Sequence, residues 1–95
     1  MKTLMLGNEA AARGLYEAGC RFVSAYPGTP STEVLETTAR HNDGSIYVEW
    51  SANEKAAMEL AAGAAYCGAR TMVTMKQVGL NVASDPLMSL AYIGV

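Results

Sequence analysis

Glu54 stands at the head of "NEKAAMELAAGAAYCGA" (53–69), a segment made mostly of alanine and glycine, with a second acid, Glu59, further along. A carboxylate can serve as an acid, a base, a hydrogen-bond acceptor or a helix cap, and its surroundings decide which. Local pattern reads "SANE" as Ser-x-x-Glu, a capping box in which Ser51 caps the helix and Glu54 reaches back to the backbone. An acid there also suits the helix dipole. The cap leaves the rest of the helix unexplained. Ala56, Ala57, Ala61, Ala62, Gly63, Ala64 and Ala65 are small on nearly every side, and small residues let a backbone or a cofactor approach closely. Glu54 also follows "SIYVEW" (45–50), which reads as a strand. That puts it at the carboxyl edge of a parallel sheet, where α/β folds place their sites.

Two other stretches can carry chemistry. "YPGTPST" (26–32) reads as a strand-to-helix turn, with Thr29 as cap and Pro30 at the first helical position. The same geometry exposes amides that attract an anion such as a carboxylate, and the two roles are compatible. In "MKQVGLNVASDP" (75–86), Lys76 and Gln77 end a strand and Gly79 permits close backbone approach. Lys76 alone reads as a solvated end charge, and Asp85 before Pro86 as a cap. Met58, Met72, Met75 and Met88 read as core fillers, and His41 as a solvated turn residue. No Gly-x-Gly-x-x-Gly, Walker loop or Cys-x-x-Cys occurs.

The elements that must position these residues alternate along the chain. Helices are expected at 7–19, 29–42, 53–69 and 79–94, the last broken near Asp85-Pro86, and strands at 20–27, 45–50 and 70–76. Asn8 is the expected cap of the first helix and Gly19 its left-handed stop. Val34, Leu35 and Thr38 share a face of the second helix, where Glu36 and Arg40 are spaced to pair. "HNDG" (41–44) is a turn. Such alternation implies an α/β fold, a parallel sheet with helices packed on both faces. Gly94 would close the last helix and Val95 would open a further strand. Three parallel strands leave apolar edges uncovered, so residues 1–95 are expected to be the front piece of a longer protein.

Composition excludes several classes of partner. The chain has 95 residues, 51% of them apolar and 17% charged, which is a folded composition of about one small domain. A net charge of −2 without a basic run argues against nucleic acid. No apolar run is long enough for a membrane. Two distant cysteines, Cys20 and Cys67, a single histidine and no secretory pattern argue against a metal site and for a reducing cytoplasm.

Taken in order, "GNEAAARGLYEAG", "SAYPGTPSTEV", "EWSANEKAAMELAAGAAYCGAR" and "MKQVGLNVASDPLMSLAYIGV" resemble the amino-terminal part of the alpha subunits of indolepyruvate:ferredoxin oxidoreductases. These belong to the thiamine-pyrophosphate-dependent 2-oxoacid:ferredoxin oxidoreductases. The resemblance covers almost the whole chain, and its specificity lies in the combination of "YPGTPS", "NEK" and "GLNVASDPLM". It implies the front half of the thiamine pyrimidine-binding domain over residues 1–95. Glu54 is then the catalytic acid that hydrogen-bonds the cofactor's aminopyrimidine ring. A carboxyl sharing its proton with a ring nitrogen must hold that proton more tightly than a solvated one, and burial among apolar residues acts in that direction.

The resemblance further implies Pro27 and Gly28 at the cofactor and Thr29, Gln77 and Asn81 at the substrate. Close relatives are expected to carry histidine where this chain has Gln77, and glutamine can hydrogen-bond but cannot titrate. The implied reaction is oxidative decarboxylation of an aryl pyruvate to an acyl-CoA, with electrons passed to ferredoxin. A second (beta or gamma) subunit and oligomerisation go with it. Magnesium and 4Fe-4S clusters would be bound outside these residues, and the 95 residues alone would be inactive. Two alternatives stand within the enzyme class: another 2-oxoacid:ferredoxin oxidoreductase, or a non-oxidative thiamine-dependent decarboxylase of sulfo- or phosphonopyruvate. The non-enzyme alternative is a degenerate domain serving as a subunit contact.

Overall fold

A computed structural model describes residues 2–94. The elements are α1 (Gly7–Glu17), β1 (Phe22–Ala25), α2 (Thr32–Arg40), β2 (Tyr47–Trp50), α3 (Glu54–Tyr66), β3 (Thr71–Thr74), α4 (Gly79–Val82) and α5 (Ser84–Ile93). The strands form one parallel sheet in the order β2-β1-β3. Residues Val23, Val48 and Met72 are in register across it, as are Ala25, Trp50 and Thr74.

Strand periodicity splits the sheet into two faces. Val23 and Ala25 of β1 pack with Leu15 of α1 and with Val34 and Leu35 of α2, and Val48 and Met72 join this cluster from the neighbouring strands. The buried Leu15, Val23, Val34 and Leu35 side chains each contribute about 1.5–3 kcal/mol on burial. Ser24 points the other way, where its hydroxyl donates to the Ala57 carbonyl of α3 at 2.7 Å. Ala57 and Ala61 are fully or nearly buried there, and the absence of bulk lets α3 sit close to the sheet. Helices thus cover both faces, as the alternation predicts.

Several local expectations hold. Gly19 takes φ +83 behind α1 and Gly94 takes φ +85 behind α5, the left-handed conformation that glycine tolerates best. Val34, Leu35 and Thr38 are all buried. The turn at 41–44 is tied by Asn42, whose side-chain oxygen accepts from the Gly44 and Ile46 amides. Apart from these expectations, Cys20 and Cys67 are free thiols, and no helix among the described residues is long and apolar enough to cross a membrane.

Others are corrected. Asn8 does not cap α1. The cap position is Leu6, whose amide donates to the Glu9 carboxylate at 2.8 Å, while the Asn8 side chain donates to the Pro30 carbonyl at 2.8 Å. Neither Thr29 nor Pro30 opens α2. Residues 28–32 fold into a tight turn first, with the Thr32 amide donating to the Gly28 carbonyl at 3.0 Å, and that turn delays the helix to Thr32. Ser51 does not cap α3. The Asn53 side-chain oxygen does, accepting from the Ala56 amide at 2.8 Å. The last helix breaks at Ala83, leaving Asp85 and Pro86 inside the first turn of α5, where proline's missing N–H has no partner to lose. Asp85 pairs with Lys55 at 3.3 Å. Glu36 and Arg40 form no ion pair; Arg13 and Glu17 do, at the same spacing. Met88 is 65% exposed rather than core. Each strand is four residues long, shorter than its apolar run. Val95 lies outside the described residues.

Candidate functional site

Because all three strands run the same way, their carboxyl ends share one edge. The β1–α2 loop, the start of α3 and the segment after β3 meet there. They enclose a cleft of about 470 Å³ lined by Pro27, Gly28, Thr29, Glu54, Lys76, Gln77 and Gly79, among others. Five of the six residues singled out from the sequence are therefore gathered around one space. Asn81 is not; it sits further along α4, exposed and outside the lining.

Glu54 is the first residue of α3 and is half-buried. The capping role that competes with chemistry falls away, because Asn53 caps the helix and the Ser51 amide donates to the Ala25 carbonyl at 2.8 Å instead. Among the described residues the Glu54 carboxylate has no hydrogen-bond or ion-pair partner. It lies against the backbone of Gly79, so close that a Cβ at position 79 would stand 2.8 Å from its Oε1.

The β1–α2 loop is held in three ways. The Gly28 amide donates to the Thr32 hydroxyl at 2.7 Å, the Ser31 hydroxyl donates to the Gly28 carbonyl at 3.0 Å, and Asn8 holds the Pro30 carbonyl from α1. The Thr29–Pro30 peptide is cis. Thr29 is exposed to the cleft and its hydroxyl makes no hydrogen bond among the described residues. Gly28 abuts the segment after β3: a Cβ there would stand 2.5 Å from Lys76 Cβ. Gln77 is exposed at the cleft lining. Two further hydroxyls at this edge, Ser51 Oγ and Thr74 Oγ1, are buried without a partner among the described residues.

Two residues act otherwise than their sequence pattern implies: Asn8 braces the loop instead of capping α1, and Lys76 is a contact surface for Gly28 rather than a solvated end charge alone. Gly79 permits close backbone approach as expected, and the group that approaches is Glu54. The pairing of Gly28 with Lys76, and of Gly79 with Glu54, has no local sequence signal.

A larger cavity of about 550 Å³ lies between α1 and the end of α2, lined by Tyr16, His41 and Asp43, among others. Three groups remote from the strand-end cleft have a displaced proton affinity. Hydrogen bonds from Ser45 hold the Asp43 carboxyl below its usual range, hydrogen bonding to Glu49 raises the Tyr47 phenol, and Glu17 raises the Arg13 guanidinium. The smaller cleft is the better candidate because the loops of all three strands converge on it around an unengaged acid. No group of acids, histidines and cysteines that could hold a metal occurs among the described residues.

Residues 13–92 match the family model described as "Pyruvate flavodoxin/ferredoxin oxidoreductase, thiamine diP-bdg". The chain is 52% identical to an indolepyruvate oxidoreductase subunit IorA of Archaeoglobus fulgidus, over 98% of this chain and 16% of that protein. It is 53% identical to the subunit of the same name from Methanothermobacter marburgensis, over 99% of this chain and 15% of that one. It thus spans about a sixth of the length of these curated relatives. Among solved structures it resembles a 2-oxoglutarate:ferredoxin oxidoreductase from Magnetococcus marinus, solved with 2-oxoglutarate, coenzyme A and succinyl-CoA bound. The TM-score is 0.78 at 34% identity, over 82% of this chain and 14% of that one.

Proposed function

The chain belongs to the pyruvate flavodoxin/ferredoxin oxidoreductase family, in its thiamine-diphosphate-binding region, and on that premise we propose that residues 1–95 form the front part of the pyrimidine-binding domain of a 2-oxoacid oxidoreductase subunit. The substrate class is an aryl pyruvate, indolepyruvate, as the names of the most similar relatives support. The reaction takes a 2-oxo acid and coenzyme A to an acyl-CoA, carbon dioxide and a proton, and passes two electrons to ferredoxin. Magnesium and 4Fe-4S clusters belong to parts of the assembly outside these residues, as does a second subunit.

The observation that carries this reading is Glu54: a half-buried carboxyl group with no hydrogen-bond or ion-pair partner among the described residues, at the head of an alanine-rich helix, facing a cleft between two loops. In its protonated form such a carboxyl group can donate the hydrogen bond that a ring nitrogen requires. When bound, thiamine pyrophosphate supplies the electron sink for loss of carbon dioxide. Glu54 would hold and return one proton at the aminopyrimidine ring. Pro27 and Gly28 would form the wall against the ring, and the missing Gly28 side chain lets that wall close on Lys76. Thr29 would donate its free hydroxyl to the substrate carboxylate, and Gln77 and Asn81 would add amide hydrogen bonds that do not titrate.

The test uses the full-length subunit with its partner. Calorimetry with thiamine pyrophosphate and magnesium should show binding, and Glu54→Gln should abolish most turnover while the melting temperature is kept. Absence of binding by the wild type would overturn the cofactor assignment. Turnover undiminished in Glu54→Gln would remove Glu54 from the chemistry. Comparing indolepyruvate with 2-oxoglutarate as substrate decides between the aryl reading and the dicarboxylate of the structural neighbour.

A further inference from the structure

We propose that Gly79 is a positioning residue for the Glu54 carboxylate, an inference that rests on Glu54 being the acid that faces the cofactor. Gly79 opens α4 and is buried. Its backbone does not require glycine, since the glycines with positive φ are Gly19, Gly44, Gly68 and Gly94. At an ordinary helical φ alanine is the better residue, by up to about 1 kcal/mol. Backbone conformation therefore does not call for glycine at this position.

The neighbouring atoms supply the reason. A Cβ on residue 79 would stand 2.7 Å from Glu54 Cγ, 2.8 Å from Oε1 and 3.0 Å from Cδ. All three belong to one side chain, and they include its functional end. No hydrogen bond or ion pair among the described residues holds that end. Its place is set by packing against a bare backbone. The carboxylate is the far end of a flexible side chain, so a methyl at position 79 would turn it aside without moving the fold. The expected signature is a variant that folds normally and handles the cofactor badly.

The experiment is a double-mutant cycle in the full-length subunit complex: wild type, Gly79→Ala, Glu54→Ala and the double variant. Two quantities are read, the melting temperature without cofactor and the affinity for thiamine pyrophosphate with magnesium. A displacement of about 1 Å can cost on the order of 100-fold in a reacting group's efficiency. Gly79→Ala should accordingly lose at least tenfold in cofactor affinity and about 100-fold in kcat/KM while melting close to the wild type. In the Glu54→Ala background the same methyl should change neither affinity nor turnover, and it should raise the melting temperature, because the obstructing atoms are gone and alanine's helix preference remains. Equal effects of the methyl in both backgrounds, on affinity and on melting, would overturn the proposal. The cofactor-free melting cycle separates the two readings. If the wild type binds no thiamine pyrophosphate, the proposed function fails, and the melting coupling between residues 54 and 79 still decides whether the glycine sets the carboxylate's place.

Discussion

Replacing Gly28 by alanine puts a methyl into a contact that has no room for it. The new Cβ would stand 2.5 Å from Lys76 Cβ, 3.2 Å from Lys76 N and 3.4 Å from Lys76 Cα. Carbon atoms pack best at about 3.5–4.0 Å, so the two loops must part by about 1 Å. The obstructing atoms are backbone and Cβ, which cannot swing aside as the Glu54 carboxylate can. Residue 28 cannot retreat alone either, because its amide and carbonyl are bonded to Thr32 and Ser31 in and before the first turn of α2. Overpacking of this kind costs about 1–3 kcal/mol, and the same displacement opens the cleft by roughly the distance that costs 100-fold in catalysis. Thermal melting of the full-length protein, with steady-state kinetics at saturating cofactor, reads both quantities. A lowered melting temperature together with a fall in kcat/KM is expected. A variant that melts and turns over like the wild type would show that the β1–α2 loop and the segment after β3 do not touch, and the geometry of the cleft would be wrong.

Ser24→Ala removes the hydroxyl that joins β1 to the Ala57 carbonyl in a fully buried position; it should cost about 0.5–1.5 kcal/mol in denaturant unfolding and leave KM for the 2-oxo acid unchanged. Asn53→Ala should lower stability by about 1 kcal/mol through the lost cap of α3, whereas Ser51→Ala, whose hydroxyl has no partner, should not destabilise; the reverse ranking would restore the Ser51 capping box. Thr29→Ala should raise KM for the 2-oxo acid with melting temperature and thiamine affinity unchanged, since its hydroxyl makes no bond in the protein; a drop in stability alone would mark Thr29 as structural.

What was legible in the sequence is what depends on periodicity. The alternation of amphipathic and β-branched segments carries the element order, and the order carries the parallel sheet and the shared carboxyl edge. Residue type alone misplaced the caps, because a cap depends on the backbone angles at one position as well as on a suitable side chain. Asn8, Thr29 and Ser51 all have cap chemistry, yet the helices begin after Leu6, Ser31 and Asn53. The strands came out shorter than predicted because Cys20, Tyr26 and Met75 extend the apolar runs beyond the paired residues. Met88 is apolar and helical but faces outward, which helix spacing in a nearly all-apolar segment cannot reveal. Five of the six site residues fall around one cleft because the topology brings loops together, whereas the fine placement of Glu54 depends on which backbone it meets. That is a long-range fact without a local pattern.

The two close approaches act in series. Gly28 abuts Lys76, the Lys76 carbonyl accepts the Gly79 amide at 2.9 Å, and Gly79 abuts the Glu54 side chain. The short segment of residues 76–79 thus bears on both the β1–α2 loop and the Glu54 side chain. Each contact is made by a glycine with no side chain of its own to yield, and close-packed groups transmit displacement, so the part that yields is the Glu54 carboxylate at the far end. A push at Gly28 should therefore reach Glu54, while removal of the neighbouring Thr29 hydroxyl should not, since that hydroxyl bears on nothing in the protein. Thiamine pyrophosphate affinity distinguishes them: weakened by Gly28→Ala and unchanged by Thr29→Ala. If both variants bind cofactor like the wild type, the segment at 76–79 yields under load and the loops around the cleft move independently. If Gly28→Ala weakens binding, the cleft is one mechanical unit, and the contact that seats the β1–α2 loop also seats the Glu54 side chain.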